Sequence, residues 1–190
     1  MDGMERAKQK IRATIAASKV PEDPSHAENT LEWLLKLDPK AGPALQMAAL
    51  AHDIDRAVES RKVRRCDYDD YDAFKAAHAR NGANILRAIL KECGVARPAA
   101  DEACRLVTRH EVGGDYGSDL LKDADSISYF EVNVPFYYER EGWEETKRRC
   151  IWGYRRLSVR GREIAKRLTY EDQKLRCLIQ EVIREACPED

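Results

Sequence analysis

The chain has 190 residues, a length that buries a full core without staples, and 43% of them are hydrophobic, which excludes a disordered chain. Its 33 Lys+Arg against 34 Asp+Glu leave a net charge of -1, so bulk attraction for nucleic acid or anionic membrane is excluded and any basic surface must be local. No apolar run approaches the ~20 residues needed to span a bilayer, and the opening MDGMERAKQKIRATIAASKV is too charged for a secretory signal. No membrane association and a cytoplasmic location are therefore expected.

Nearly every segment carries helical periodicity. A first helix is predicted from about Glu5 to Ser18, broken by PEDPS. Ser25 with Glu28 predicts a capping box for a second helix, striped by Leu31, Leu34 and Leu35 and ended by Asp38, Pro39, Gly42 and Pro43. From Ala44 the run ALQMAALA is apolar all round and predicts the central buried helix, with His52 inside it. Glu59 to Tyr71 reads as a loop or ragged helix end. A long helix then runs from Asp72 to Gly94, with Ala76, Ala77, Ile85, Leu86, Ile89 and Leu90 inward. Pro98 opens the next helix, which buries Leu106 and Val107, and Gly113, Gly114 and Gly117 break it. Another starts near Ser118 and stops before Pro135. Trp143 to Cys187 reads as two or three helices, the last opening at Thr169. The expected architecture is one all-α domain over residues 1–190.

Six cysteines (66, 93, 104, 150, 177 and 187) form no C-x-x-C pair, which favours reduced thiols over a disulfide framework. Cys93, Cys104 and Cys177 sit in helical stretches as small hydrophobes.

Only four histidines occur: His26, His52, His78 and His110. His52 and Asp53 fall together in AALAHDIDRAV, where an unpaired imidazole and carboxylate in an apolar setting are costly. A hydrogen-bonded core pair is one reading of that dipeptide, and metal ligation is the other. A metal pocket at the centre of a helix bundle accounts for all four histidines and for the late acidic pair Asp123 and Asp125 at once. Asp123 and Asp125 are two residues apart on a helix, so at most one is a direct ligand.

The ordered set His26, His52-Asp53, His78, His110 and Asp125 resembles the HD superfamily of metal-dependent phosphohydrolases. HAENTLEWL, AALAHDIDR, HARNGANILRAIL, RHEVGG and KDADSI carry the likeness, which covers roughly Ser18 to Phe130. It implies an HD-type helical bundle core with a helical carboxy-terminal extension from about 131 to 190. It further implies that His26, His52, Asp53 and Asp125 hold one metal, and that Asp53 bridges to a second held by His78 and His110. Asp125 is preferred over Asp123 because the family's ligand follows the Ala. Imidazole and carboxylate suit iron, manganese, cobalt, nickel or zinc. The implied reaction is attack of a metal-activated water on a phosphoester or phosphoanhydride of a nucleotide or another small phosphorylated substrate. Arg56 stands where the family often has Lys, and Arg109 and Lys122 are further candidates for phosphate contact.

The short spacing from His110 to Asp125, with its glycine turn, most resembles bacterial HD hydrolases of diadenosine tetraphosphate. His110-Glu111 replaces the paired histidines of the cyclic-dinucleotide phosphodiesterases. Two other classes share these features. Some HD-type proteins are di-iron oxygenases. A nucleotide- or RNA-binding module is the third class, because Thr146 to Arg167 holds nine Lys/Arg, interrupted by Trp152 and Tyr154, against the single acid Glu163. A solvated helical face is the plainer reading of that run. The acidic-tyrosine run DYDDYD is expected near the pocket mouth, and NVPFYYEREGW as a packing plug or dimer contact. No Gly-rich phosphate loop, Ser elbow or Rossmann fingerprint is present, which argues against kinases, α/β hydrolases and dehydrogenases.

Overall fold

In the computed structural model, which describes residues 2–186, every regular element is helical and no strand occurs among the described residues. α1 (Gly3–Ile15) starts earlier than the pattern predicts because Asp2 caps it, accepting from the Met4 and Glu5 amides. The capping box read from Ser25 and Glu28 does not form. α2 (Asp23–Leu37) begins upstream of Ser25, with Pro24 in its first turn where a missing amide costs nothing, and Glu28 pairs with Arg12 of α1 at 2.5 Å.

α3 (Pro43–Ala51) is the central helix, with Met47 through Ala51 all buried. His52 caps its carboxyl end rather than lying inside it, so the helix terminates where the chemistry begins. After 3₁₀ turns at Ile54–Ala57 and Arg65–Asp67, α4 (Tyr71–Glu92) starts on an Asp70 cap that accepts from the Ala73 amide at 2.7 Å. Gly94, at φ 69°, supplies the left-handed residue that ends it. α5 (Arg97–Arg109) carries Pro98 in its first turn, and α6 (Tyr116–Ser128) opens on an Asp115–Ser118 capping box, so Gly117 lies inside the helix instead of breaking the chain.

The stop expected before Pro135 is absent. A π-helical turn, Tyr129–Asn133, carries α6 directly into α7 (Val134–Arg156), and Pro135 falls in the first turn of α7, where its amide is dispensable. α7 kinks at Gly142, whose φ of 77° and ψ of -172° suit glycine. α8 (Val159–Ala165) and α9 (Gln173–Ala186) complete the described chain. α9 opens beyond Thr169, with the Asp172 carboxylate accepting from the Lys174 amide at 2.7 Å. Its predicted end, Cys187, lies outside the described residues.

One hydrophobic cluster runs from Ala7 and Ile11 of α1 through Leu34, Leu50, Leu86, Leu106 and Ile127 to Leu178 and Val182 of α9. Residues 131–186 therefore share the core instead of forming a detached appendage; Tyr170 also donates its hydroxyl to the Phe130 carbonyl at 2.8 Å. Cys93, Cys104 and Cys150 are buried, whereas Cys177 is exposed, because the apolar stripe of α9 runs through Leu175, Leu178, Ile179 and Val182 and leaves Cys177 outside.

Candidate metal centre

Helix ends build this site. α3 and α5 both finish on a histidine whose Nδ1–H donates to the carbonyl three residues back: His52 to Ala49 O at 2.8 Å and His110 to Val107 O at 2.7 Å. The bond to Ala49 O serves a carbonyl at the helix terminus, while Val107 O also accepts from the His110 amide at 3.4 Å. Each Nδ1 bond also fixes the neutral ring's tautomer, turning the Nε2 lone pair inward. In the first turn of α2, His26 meets Ser128 Oγ through Nδ1 at 2.8 Å, while that hydroxyl donates to His26 O at 3.1 Å. His78 of α4 directs Nδ1 to buried Asp55 at 2.9 Å. Asp55 in turn accepts from Asn81 and from the Val63 amide.

Six predicted residues converge as two triads. His26 Nε2, His52 Nε2 and Asp125 Oδ1 form a triangle with sides of 3.1, 3.3 and 3.4 Å. Asp53, His78 and His110 form the second, with His78 Nε2 at 2.8 Å from Asp53 Oδ1. Asp53 also turns Oδ2 toward the first triad, 3.9 Å from His26 Nε2 and 3.8 Å from His52 Nε2. It thus lies between them. Asp123 faces the other way, accepting from the Ser158 amide at 2.8 Å and from its hydroxyl, which holds the start of α8.

The donors fit divalent cations. With metal–ligand bonds of about 2.1 Å, neighbouring ligand atoms lie about 3.0 Å apart at right angles and about 3.4 Å apart at tetrahedral angles. The first triangle spans that range. In the neutral tautomers the lone pairs of His26 and His52 face each other, and that of His78 faces an Asp53 oxygen; a cation between them turns each conflict into an attraction. Without one, a proton must serve. Burial opposes charge on His52, but Asp53, Asp125 and the bond to Ala49 O outweigh it and push the ring up to about 9. Burial likewise opposes charge on Asp53, yet Arg56 and His52 hold it well below the carboxylate range, and His52 and His26 do the same for Asp125.

His26, Asp53, His78 and Asp125 of the triads form the floor of a cavity of about 910 Å³, and His52 and His110 are fully buried. Arg56 bridges Asp53 and Asp23 at 2.7 Å each, so the expected cation does stand beside the cluster. Arg109 and Lys122 do not line the cavity. Arg109 is engaged by Gly113 O at 2.5 Å, and Lys122 by Asp119 at 3.1 Å, around the turn between α5 and α6. Asp70, Tyr71 and Asp72 line the mouth, as expected for DYDDYD. The segment expected as a plug contributes Asn133, Tyr137 and Arg140 to the cavity wall, because the π-helical turn swings it over the floor.

Sequence reasoning missed Asp55, Ser128 and Lys75, and it noted Glu111 beside His110 and Arg149 and Arg156 in the basic run without placing them at the cluster. Asp55 stands two residues beyond Asp53, in HDID, and its burial beside Asn81 is the signal that only packing exposes. Glu111 is buried between Lys75 and Arg156, whose Nη2 lies 3.2 Å away; burial opposes its charge, but these cations hold it well below the carboxylate range. Arg156 also donates to His110 O at 3.1 Å and approaches Asp125 at 3.6 Å. The basic run Thr146 to Arg167 divides: Arg148, Arg149, Arg155 and Arg156 line the cavity, while Lys147 pairs with Glu181 and Glu185 of α9.

Fold and site together define an all-α protein whose buried His/Asp groups could hold metal ions. Residues 5–179 match the family described as Domain of unknown function (DUF4202), and the chain belongs to that family. No curated protein and no solved structure matches it. Among the described residues, no helix is long and apolar enough to cross a membrane.

Proposed function

We propose that the protein is a metal-dependent phosphohydrolase of HD type, acting on a nucleotide or another small phosphorylated substrate. One observation carries this reading: two imidazole–carboxylate triads meet at Asp53 on the floor of a cavity lined by arginines. His26, His52 and Asp125 would hold one divalent ion and His78 and His110 a second, with Asp53 between. Bound there, such ions supply Lewis acidity toward water and toward a phosphoryl oxygen.

The chain's own groups do the remaining work. Ser128, Asp55 and the carbonyls of Ala49 and Val107 keep each ring aimed inward. Arg56, already 2.7 Å from Asp53, offers a planar fork toward phosphoryl oxygens. Arg156 places a second guanidinium beside Asp125 and Glu111, where negative charge grows during phosphoryl transfer.

The test pairs metal analysis with phosphate release from a panel of nucleotides, on the wild type and on Asp53→Ala. The wild type is expected to retain divalent metal and to release phosphate. Equal turnover in the two proteins, or a wild type that binds no divalent metal, rejects the proposal.

A further inference from the structure

The wall facing the triads comes from the π-helical turn and α7, and it is built differently from the floor. Most cations lining the cavity already hold a carboxylate: Arg56 with Asp23 and Asp53, Arg140 with Glu22 at 2.9 Å, Arg148 with Glu145 at 2.7 Å. Among the described residues Arg149 pairs with none, and neither does the exposed Arg155 at the rim. The Arg149 Nη1 is sealed from solvent and meets no hydrogen-bond partner. Its guanidinium is held instead by rings, 4.3 Å from the centroid of Trp152 and 4.9 Å from that of Tyr129.

Ring faces balance the charge of a guanidinium but leave its directional N–H donors unused. A buried donor without an acceptor destabilises a fold, so an acceptor supplied by a ligand is worth more there than at the surface. The same wall contains a second unpartnered group. Asn133 is buried, its Oδ1 meets no partner, and the amide can turn its NH₂ to that position. The Tyr129 hydroxyl lies near the Cys150 thiol outside hydrogen-bond geometry, and burial keeps its phenol protonated as a donor.

Position fixes what would bind. Arg149 and Arg156 lie 4.3 and 4.5 Å from the centroid of the same indole, Trp152, and Arg156 reaches Asp125 at 3.6 Å. Arg149 therefore stands one side chain beyond the cluster. We propose that Arg149, with Tyr129 and Asn133, receives a second phosphoryl group of the substrate, so that the cavity selects compounds with two linked phosphoryl groups over monoesters. This rests on the reading of the cluster as the site of the first phosphoryl group.

The test is calorimetric binding of inorganic pyrophosphate and of inorganic phosphate to the manganese-loaded 190-residue chain, as wild type, Arg149→Met, Arg149→Lys and Tyr129→Phe. The wild type is expected to prefer pyrophosphate by roughly tenfold or more. Arg149→Met, at unchanged metal content and helicity, should lose most of that preference, and Arg149→Lys should recover part of it. Chelation of the ions by pyrophosphate contributes equally to both proteins and cancels in the comparison. A preference unchanged in Arg149→Met, or absent from the wild type, overturns the subsite. Should Arg149→Met fail to fold, an unchanged preference in both Arg149→Lys and Tyr129→Phe overturns it. A chain that prefers pyrophosphate through Arg149 yet never releases phosphate refutes the hydrolase and keeps the subsite.

Discussion

On the cavity floor every imidazole has a partner on Nδ1, whereas in the α7 wall Arg149 and Asn133 each present a buried atom without one. Both regions are buried and polar, yet they are held by different means. The floor's rings are fixed by directional bonds to carbonyls, a hydroxyl and a carboxylate, so their lone pairs are aimed before any ligand arrives. The wall's guanidinium is fixed by stacking, which holds a plane in place and leaves its donors unused. Directional bonds suit cations that need set angles, and stacking suits an anion that can be met by a fork.

Substitutions should break the two regions in different ways. The largest loss is expected on the floor. His52→Ala opens the first triad and should cut phosphate release on the order of 10³-fold with loss of bound metal; retained metal by elemental analysis would show the ring to be dispensable. Asp55→Asn leaves every proposed ligand in place but weakens the acceptor behind His78. Metal affinity, read by chelator competition, should fall roughly 10–100-fold, and an unchanged affinity would mean that His78 is oriented without it.

The third effect is one of pH. In the chelated protein His52 is raised from 6.5 to about 9, so its stabilising proton is fully effective below pH 6.5 and is lost as pH rises through about 9. The melting temperature of the chelated protein should fall by roughly 5 °C across that window. The metal-loaded protein should not show the loss, since a cation replaces the proton; parallel curves for the two forms would contradict the fit. The smallest effects belong to Arg109→Met and Lys122→Met. Both residues are engaged around the α5–α6 turn, so kcat/KM should stay within about twofold of wild type, and a larger drop would place them at the substrate after all.

Much of this was legible in the chain because the relevant rules are local. Helical periodicity, the Gly94 stop and the Pro98 start depend on neighbours within a turn or two. Four scarce histidines in a mostly apolar helical pattern single themselves out without coordinates. The errors were local too, but they arose where two signals competed. Ser25 and Glu28 form a capping pattern, yet Pro24 and the Arg12–Glu28 pair move the start of α2 upstream. Pro135 signals a stop, yet the π-helical turn before it absorbs the missing amide.

By itself the sequence determined the all-α class and the small set of imidazoles and carboxylates that could meet, since both follow from residue type and short-range spacing. Tertiary structure alone decided that Ser128 holds His26 from 102 residues away, that Asp123 turns to the start of α8, and that Arg149 is left with rings for neighbours. The physical reason is that a hydrogen bond, an ion pair or its absence depends on which helices pack side by side. That choice is made by the buried surface of the whole chain.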